Sequence, residues 1–236
     1  MTIFRAWNDE GTCKVVKKIE RKYYKYGTTP NVSTTGSVTI SNGVISNFSA
    51  SNYATIPVIF NPLTNLWEVV VKFTTGNSVT SGPQEIIGRV DSTYYGFQIL
   101  ITASASLYAS IADTTSTVIC QLNSPLNYLQ ANTTYWAKLK FTGTAYELYS
   151  SSNGTDFLLV ASYTSSTPML NSNTLTKFGV QDPSNLPRPF GGSIDLKRTY
   201  ILLNNKLLWR GTNIEDGTSS DYDFYKDVDV YYGFKE

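Results

Sequence analysis

Between Thr134 and Phe141 side chains alternate between an apolar and an amphipathic face, and that two-residue period restricts the segment to extended strand. Tyr135, Ala137, Leu139 and Phe141 share one face, with Trp136, Lys138 and Lys140 on the other. The chain turns at Thr142-Gly143-Thr144, returns over Ala145–Ser150, turns again at Ser152-Asn153-Gly154-Thr155-Asp156 and runs forward from Phe157 to Tyr163. This order predicts a three-stranded antiparallel meander. Asn-Gly is a strong hairpin signal because both central residues of a type I′ turn need positive φ. It recurs in Ser41-Asn42-Gly43, between Ser37–Ile40 and the apolar Val44, Ile45 and Phe48.

Leu66–Thr74 shows the same alternation, with Trp67, Val69, Val71 and Phe73 on one side and Glu68, Val70 and Lys72 on the other. Ile86–Val90, Tyr95–Thr102, Ser106–Ala112, Thr176–Val180 and Gly192–Asn204 are further strand candidates, and Gln181–Phe190, with three prolines, reads as an irregular loop. No helical period stands out between residues 36 and 210. The expected fold class is all-β. Thr and Tyr supply much of the polar surface and only 16% of residues are charged, which suits half-buried pleated sheet better than helix. At 236 residues the chain is long enough for one such domain with short extensions.

The net charge of +1 conceals two unlike ends. Residues 1 to 26 carry seven Lys or Arg against Asp9, Glu10 and Glu20, whereas residues 214 to 236 carry seven Asp or Glu against Lys226 and Lys235. The expected organisation is a basic leader over 1–35, a sandwich over 36–213 and an acidic, aromatic tail over 214–236. Within the leader, Val15, Val16, Ile19, Tyr23 and Tyr26 fit an amphipathic helix with a basic face, while Cys13, Val15 and Ile19 fit one side of a strand, and both readings stand. Lys17, Lys18, Arg21, Lys22, Tyr23 and Tyr24 are the candidate anchoring and assembly residues. In the tail, Asp221, Asp223, Asp227 and Asp229 would share one face of a strand added to a partner or to the leader. Met1–Glu10 lacks the apolar core of a secretory signal and no run approaches the roughly 18 apolar residues of a membrane span, so synthesis in a cytoplasm without membrane insertion is expected. Cys13 and Cys120 form no disulfide framework; one long-range bridge between them stays open.

The chain has no histidine. Ser-His-Asp and Cys-His nucleophilic catalysis, His-based zinc sites and His acid/base chemistry are therefore excluded. Two distant cysteines cannot make a Cys-rich metal site, and no Gly-rich phosphate cradle occurs. A glycoside hydrolase needs two carboxylates about 5 to 9.5 Å apart across the scissile bond. Here Glu68 and Glu147 stand alone along the chain. The expectation is a binding or scaffold protein with no catalytic residues. Sugar binding needs aromatic faces and amide or carboxylate groups, and the candidates are Trp136 on the polar face of its strand, Tyr94 and Tyr95 after Asp91, and Asp182 and Asn185 in the Pro-rich loop. For Trp136 the plainer reading is a second packing layer. For Asp182 and Asn185 it is a solvated loop with an Asx turn.

"TTYWAKLKFTGTAYELYSSSNGTDFLLVASY" (Thr133–Tyr163), "KFGVQDP" (Lys177–Pro183) and "FGGSIDLKRTYILLNNKLLWRG" (Phe190–Gly211) resemble the second half of laminin-G-like, concanavalin A-type domains, especially those of bacteriophage and prophage structural genes. "GSVTISNGVISNFSASNYATIP" (Gly36–Pro57) is similar to their opening strand, and "CKVVKKIERKYYKYG" (Cys13–Gly27) to leaders preceding sugar-binding-type domains in gut phage genes. The resemblance implies a two-sheet antiparallel jelly-roll sandwich on a virion structural protein, a fibre-like or decoration component assembled in the host bacterial cytoplasm. It further implies a surface glycan as partner and other virion proteins or self-association, trimeric by family expectation, without nucleic acid. No cofactor is required, although laminin-G-like edge loops suggest calcium near Asp182 and Asn185. The rival expectations are a purely architectural virion protein, a cell-surface lectin or adhesin module and, least favoured, a glycanase.

Overall fold

The computed structural model describes residues 3–7, 13–17, 32–56, 66–90, 95–112, 117–169, 175–182 and 187–211; for residues 3–7, 13–17, 90, 95, 206 and 207 it gives the backbone alone. The chain divides into two units, Thr28–Thr212 and a smaller one drawn from both ends, Met1–Gly27 with Asn213–Glu236. In the smaller unit β1 (Ile3–Trp7) pairs antiparallel with β2 (Cys13–Lys17), from Ile3↔Lys17 to Trp7↔Cys13. Of the two readings of the leader, strand is therefore correct for residues 13–17. Lys18, Arg21, Lys22, Tyr23, Tyr24 and the tail lie outside the described residues.

The larger unit is a sandwich of two antiparallel sheets, and among the described residues it contains no helix. Its strands are β3 (Ser33–Thr35), β4 (Thr39–Ser41), β5 (Val44–Ser46), β6 (Tyr53–Ile56), β7 (Trp67–Thr74), β8 (Gln84–Val90), β9 (Tyr95–Ile101) and β10 (Leu107–Ala112), followed by β11 (Val118–Asn123), β12 (Thr134–Phe141), β13 (Ala145–Ser151), β14 (Leu158–Thr164), β15 (Thr176–Phe178), β16 (Ser193–Leu203) and β17 (Lys206–Arg210). One sheet runs β11-β10-β9-β8-β15-β6-β3. The other runs β14-β13-β12-β7-β16-β5-β4, with β17 paired to β16. The meander read from the sequence is β12-β13-β14, and the Asn-Gly turn at Asn42-Gly43 joins β4 to β5 with φ of 50° and 76°.

The core lies where the apolar faces of the two sheets meet. Val69, Val71, Ala137, Leu139 and Leu148 of one sheet and Ile87, Ile99, Ile101, Leu107 and Ala109 of the other are all 0% exposed. Registers such as Ala137↔Val71, Leu139↔Val69 and Leu139↔Leu148 place these residues in rows across neighbouring strands. Tyr146 is as deeply buried, and its hydroxyl donates to the carbonyl of Thr167 at 2.7 Å, which satisfies the one polar atom the ring carries inward. Cys120 is a free, buried thiol, so it is not bridged to Cys13; burial pushes its pKa up to about 12.

The structure departs from simple alternation at two bulges. In β8, Glu85 opposes Leu100 and Ile87 opposes Ile99, so Ile86 is an extra residue and both isoleucines face the core. In β16, Asp195 opposes Lys72 and Tyr200 opposes Val70, with Leu196–Thr199 bulged out between them. The bulge is pinned by Leu196 N–H to the Gly43 carbonyl at 2.8 Å and by Thr199 Oγ1 to the Asp195 carbonyl at 2.8 Å. Gly192–Asn204 is thus not one regular strand. The bulge brings Asp195 and Tyr200, five positions apart, to the same face.

The burial pattern sets a stability test. Leu148→Ala, at 0% exposure, should cost about 2–5 kcal/mol in denaturant unfolding. Leu158→Ala, at 70% exposure two strand positions past the turn, should stay within about 0.5 kcal/mol. Equal losses would contradict the assignment of β13 to the core and the face of β14 at Leu158 to solvent.

Candidate functional site

Strand parity builds the outer face of the eight-stranded sheet from the side chains the core leaves out. Its first row is Val44, Asp195, Lys72, Trp136 and Ser151, its second Tyr200, Val70, Lys138, Tyr149 and Leu159, and its third Leu202, Glu68, Lys140, Glu147 and Ser162, each running from β16 or β5 towards β13 or β14. Cβ atoms of directly opposed residues lie about 4.5–5.5 Å apart, so each row is a continuous line of contact.

These side chains are paired with one another. Lys72 Nζ sits 2.8 Å from Asp195 Oδ2 and 5.0 Å from the centre of the Trp136 ring, so one ammonium serves an ion pair and a cation–π contact. Lys138 Nζ lies 4.8 Å from the Tyr149 ring and 4.2 Å from the Phe157 ring. Lys140 Nζ is 3.5 Å from Glu147 Oε2, which also accepts the Tyr149 hydroxyl at 2.7 Å. Tyr200 donates to Glu68 Oε1 at 3.1 Å. Burial, helped by the hydrogen bond to Glu147, pushes the Tyr149 phenol up to about 12. Across this face aromatic rings alternate with fixed charges.

The turn after β13 closes one end of the patch. Asn153 Oδ1 accepts from Ser151 Oγ at 2.9 Å, Thr155 N–H at 3.0 Å, Thr155 Oγ1 at 3.1 Å and Asp156 N–H at 2.9 Å, and its Nδ2 donates to Asp156 Oδ2 at 2.7 Å. Gly154, at φ +81°, rests directly on the indole of Trp136, where a Cβ would stand 2.8 Å from the ring. Glycine is needed there for both the φ and the close approach.

Of the residues singled out in the sequence, Trp136 does lie on the face opposite the core, half-buried, with Lys72 over its ring and Gly154 against it. It is neither a bare stacking surface nor a core residue. Asp182 is 7% exposed and follows β15 in the other sheet, so it is not the solvated loop residue expected and does not join Trp136. Tyr95 opens β9, with its side chain outside the described residues, as Tyr94 and Asn185 are wholly. Lys17 ends β2 in the smaller unit. Among the described residues no group of three or more Asp, Glu or Cys side chains is placed to hold a metal ion. Glu68 and Glu147 do not stand alone: they flank Lys140 from β7 and β13, and each accepts a tyrosine hydroxyl. Lys72, Asp195, Lys138, Tyr149 and Phe157 were not singled out in the sequence. The signal that points to them is charged or aromatic residues at the parity of Trp136 in neighbouring strands, which has meaning only once the register is known.

No protein-family model matches the chain, and no curated protein matches it either. Solved structures do match. The botulinum neurotoxin serotype D binding domain aligns with 95% of this chain at TM-score 0.58 and 12% identity, and the binding domain of botulinum neurotoxin DC in complex with SialylT aligns with 96% at 0.54 and 11%. The chain spans about half the length of these neighbours, 51% of each. The CBM40 of the Ruminococcus gnavus IT-sialidase, solved with sialyllactose, overlaps 61% of this chain and 77% of its own at 17% identity, with a TM-score of only 0.46. At these identities the likeness shows the fold alone, the two-sheet jelly-roll sandwich that this chain shares with the toxin binding domains.

The paired arrangement around Trp136 gives a direct check. Lys72→Ala removes the ammonium from both Asp195 and the indole, and should change stability by about 1 kcal/mol or less, since the pair is part-exposed. It should also shift the indole emission, and that shift should vanish in a Trp136→Phe background. A shift that persists without Trp136 would show that another indole reports it.

Proposed function

We infer that the sandwich is a carbohydrate-binding module, and that it takes glycans on the outer face of the eight-stranded sheet around Trp136 and Phe157. The observation that carries this reading is the placement of aromatic rings beside fixed Lys, Asp, Glu and Tyr groups on one face of the sheet. A sugar ring presents C–H groups on its faces and hydroxyls on its rim, and it needs an apolar plate next to oriented donors and acceptors. Here the polar groups are held by one another before any ligand arrives, so little side-chain entropy is lost on binding. A glycan would slide over the exposed part of the indole and exchange hydroxyls for the Lys72 contact. The shared sandwich architecture of the toxin binding domains supports the class, while the residues come from this chain alone.

The setting we propose is a bacteriophage or prophage virion, with the sandwich displayed as part of a fibre-like or decoration component and the smaller unit as its attachment. This part rests on the resemblance of Gly36–Gly211 and of the Cys13–Gly27 leader. A purely architectural protein is the competing reading, favoured by the self-paired state of the outer face. A glycan array with the full chain separates them. Binding to at least one surface polysaccharide, weakened about tenfold or more by Trp136→Ala with Phe157→Ala, supports the binding reading; a tenfold loss is about 1.4 kcal/mol, within the range of an aromatic contact. No binding to any glycan would overturn it and leave the architectural role. Hydrolysis of a bound polysaccharide, lost in Glu147→Gln, would instead make the protein an enzyme.

A further inference from the structure

On the opposite sheet, a carboxyl group lies buried with nothing to bond to. Glu85 is 0% exposed, and neither Oε1 nor Oε2 has a hydrogen-bond partner. The bulge at Ile86 turns its side chain away from the core, beside Leu100 and Gln98, onto the outer face of the seven-stranded sheet. A Cβ on Gly88 would meet Oε1, so the carboxyl lies directly against the glycine. Gln98, opposite Gly88, donates its amide nitrogen to Ser110 Oγ at 2.7 Å.

The backbone of the same residue holds a strap. Beyond the end of β15, Glu85 N–H donates to the Arg188 carbonyl at 2.9 Å, so residues 187–191 take the place beside β8 that β15 has vacated. Phe190 N–H donates to the Gly179 carbonyl at 2.9 Å, Gly191 N–H to Gln84 Oε1 at 3.0 Å, and the Phe190 ring is buried against Phe48 and Phe73. Among the described residues the titratable groups that face Glu85 are Lys177 of β15, Arg188 of the strap and Tyr108 of β10; β9 places Leu100 and Gln98 beside it, and Arg89 lies further along β8.

We propose that Glu85 is a pH-sensitive latch: as the neutral acid it lets the strap close on β8, and its ionisation loosens the bond between Glu85 N–H and the Arg188 carbonyl. A charge at this position would be fully buried without a hydrogen bond, so burial disfavours it strongly. Burial raises the Glu85 pKa well above the ordinary carboxyl range, with Arg188 and then Lys177 opposing that rise through their charge. The folded chain therefore keeps a proton that the unfolded chain releases. The stability that the neutral acid contributes is complete below the unfolded value of about 4.3 and is lost as pH rises through the folded value. Arg188 and Lys177 offset part of that cost, and the larger part, burial of the charge, is relieved only when the strap parts from β8 and water reaches the carboxylate.

Amide hydrogen exchange of the full chain, corrected for the intrinsic effect of pH, tests the latch from about pH 5 to about pH 9. Protection of the Glu85 and Phe190 amides should fall by up to about tenfold for each unit of pH between the unfolded value of about 4.3 and the folded pKa and level off above it, while the Leu139 amide in β12 should hold steady. In Glu85→Gln, neutral at every pH, that fall should disappear. The same fall in the Gln variant would overturn the latch. Should that variant fail to fold, a carboxyl-carbon titration of the wild-type chain decides: a midpoint near the ordinary range overturns the proposal, and a raised one that coincides with the loss of protection upholds it.

Discussion

Trp67 is the contact on which both faces of the eight-stranded sheet depend. Its indole is 2% exposed and reaches across the sandwich to Phe97 of the other sheet, 6.0 Å between centres, while Tyr146 of its own sheet lies 6.1 Å away. Tyr146 in turn stacks on Phe141 at 4.6 Å. Each aromatic pair adds about 0.5–1.5 kcal/mol beyond the apolar area it buries. Because strand side chains alternate, fixing Trp67, Val69, Val71 and Phe73 in the core also fixes where Glu68 and Lys72 emerge. β7 lies between β12 and β16, so it sets the register of Trp136 on one side and of Asp195 on the other. A slip of one residue at this strand would bury Lys72 and expose Val71.

The sandwich was largely legible because its longest strands carry their period undiluted. β12 and β13 alternate, and the turns on either side of β13 have glycines at positive φ, Gly143 and Gly154. β11 was missed: Val118, Ile119 and Cys120 are consecutive apolar residues, and only Cys120 and Leu122 turn out to be buried. Short strands such as β3, β6 and β17 offer too few positions for a period to emerge. The bulges at Ile86 and at Leu196–Thr199 were hidden for a different reason. A bulge is stabilised by distant partners, such as the Gly43 carbonyl for Leu196, and leaves no local pattern.

The site was legible in part for the same reason. Trp136 could be placed opposite the core from its parity with Tyr135 and Leu139. Lys72 and Asp195 are 123 positions apart, and nothing in either segment announces the other; the register through β7 and β16 brings them together. Asp182 misled because its Pro-rich surroundings read as exposed loop, whereas the backbone bonds of Arg188 and Phe190 draw that region against β8 and β15. Buried polar groups are the hardest to foresee. Glu85 sits in an ordinary strand sequence, and only the pairing of Gly88 with Gln98 shows that its carboxyl has a space to occupy.

The two Asn-Gly turns that mark the hairpins will also age at different speeds. An Asn-Gly unit loses ammonia when the glycine nitrogen attacks the asparagine amide carbon, which leaves aspartate or its isomer and an added negative charge. At Asn153-Gly154 that nitrogen is donated to Ser151 Oγ at 2.9 Å, and the amide oxygen is gripped by the turn. At the exposed Asn42-Gly43 no hydrogen bond holds the side chain. Chemical damage in stored protein should therefore accumulate first in the hairpin of β4 and β5, at the far edge of the sheet, and spare the turn that supports the indole of Trp136.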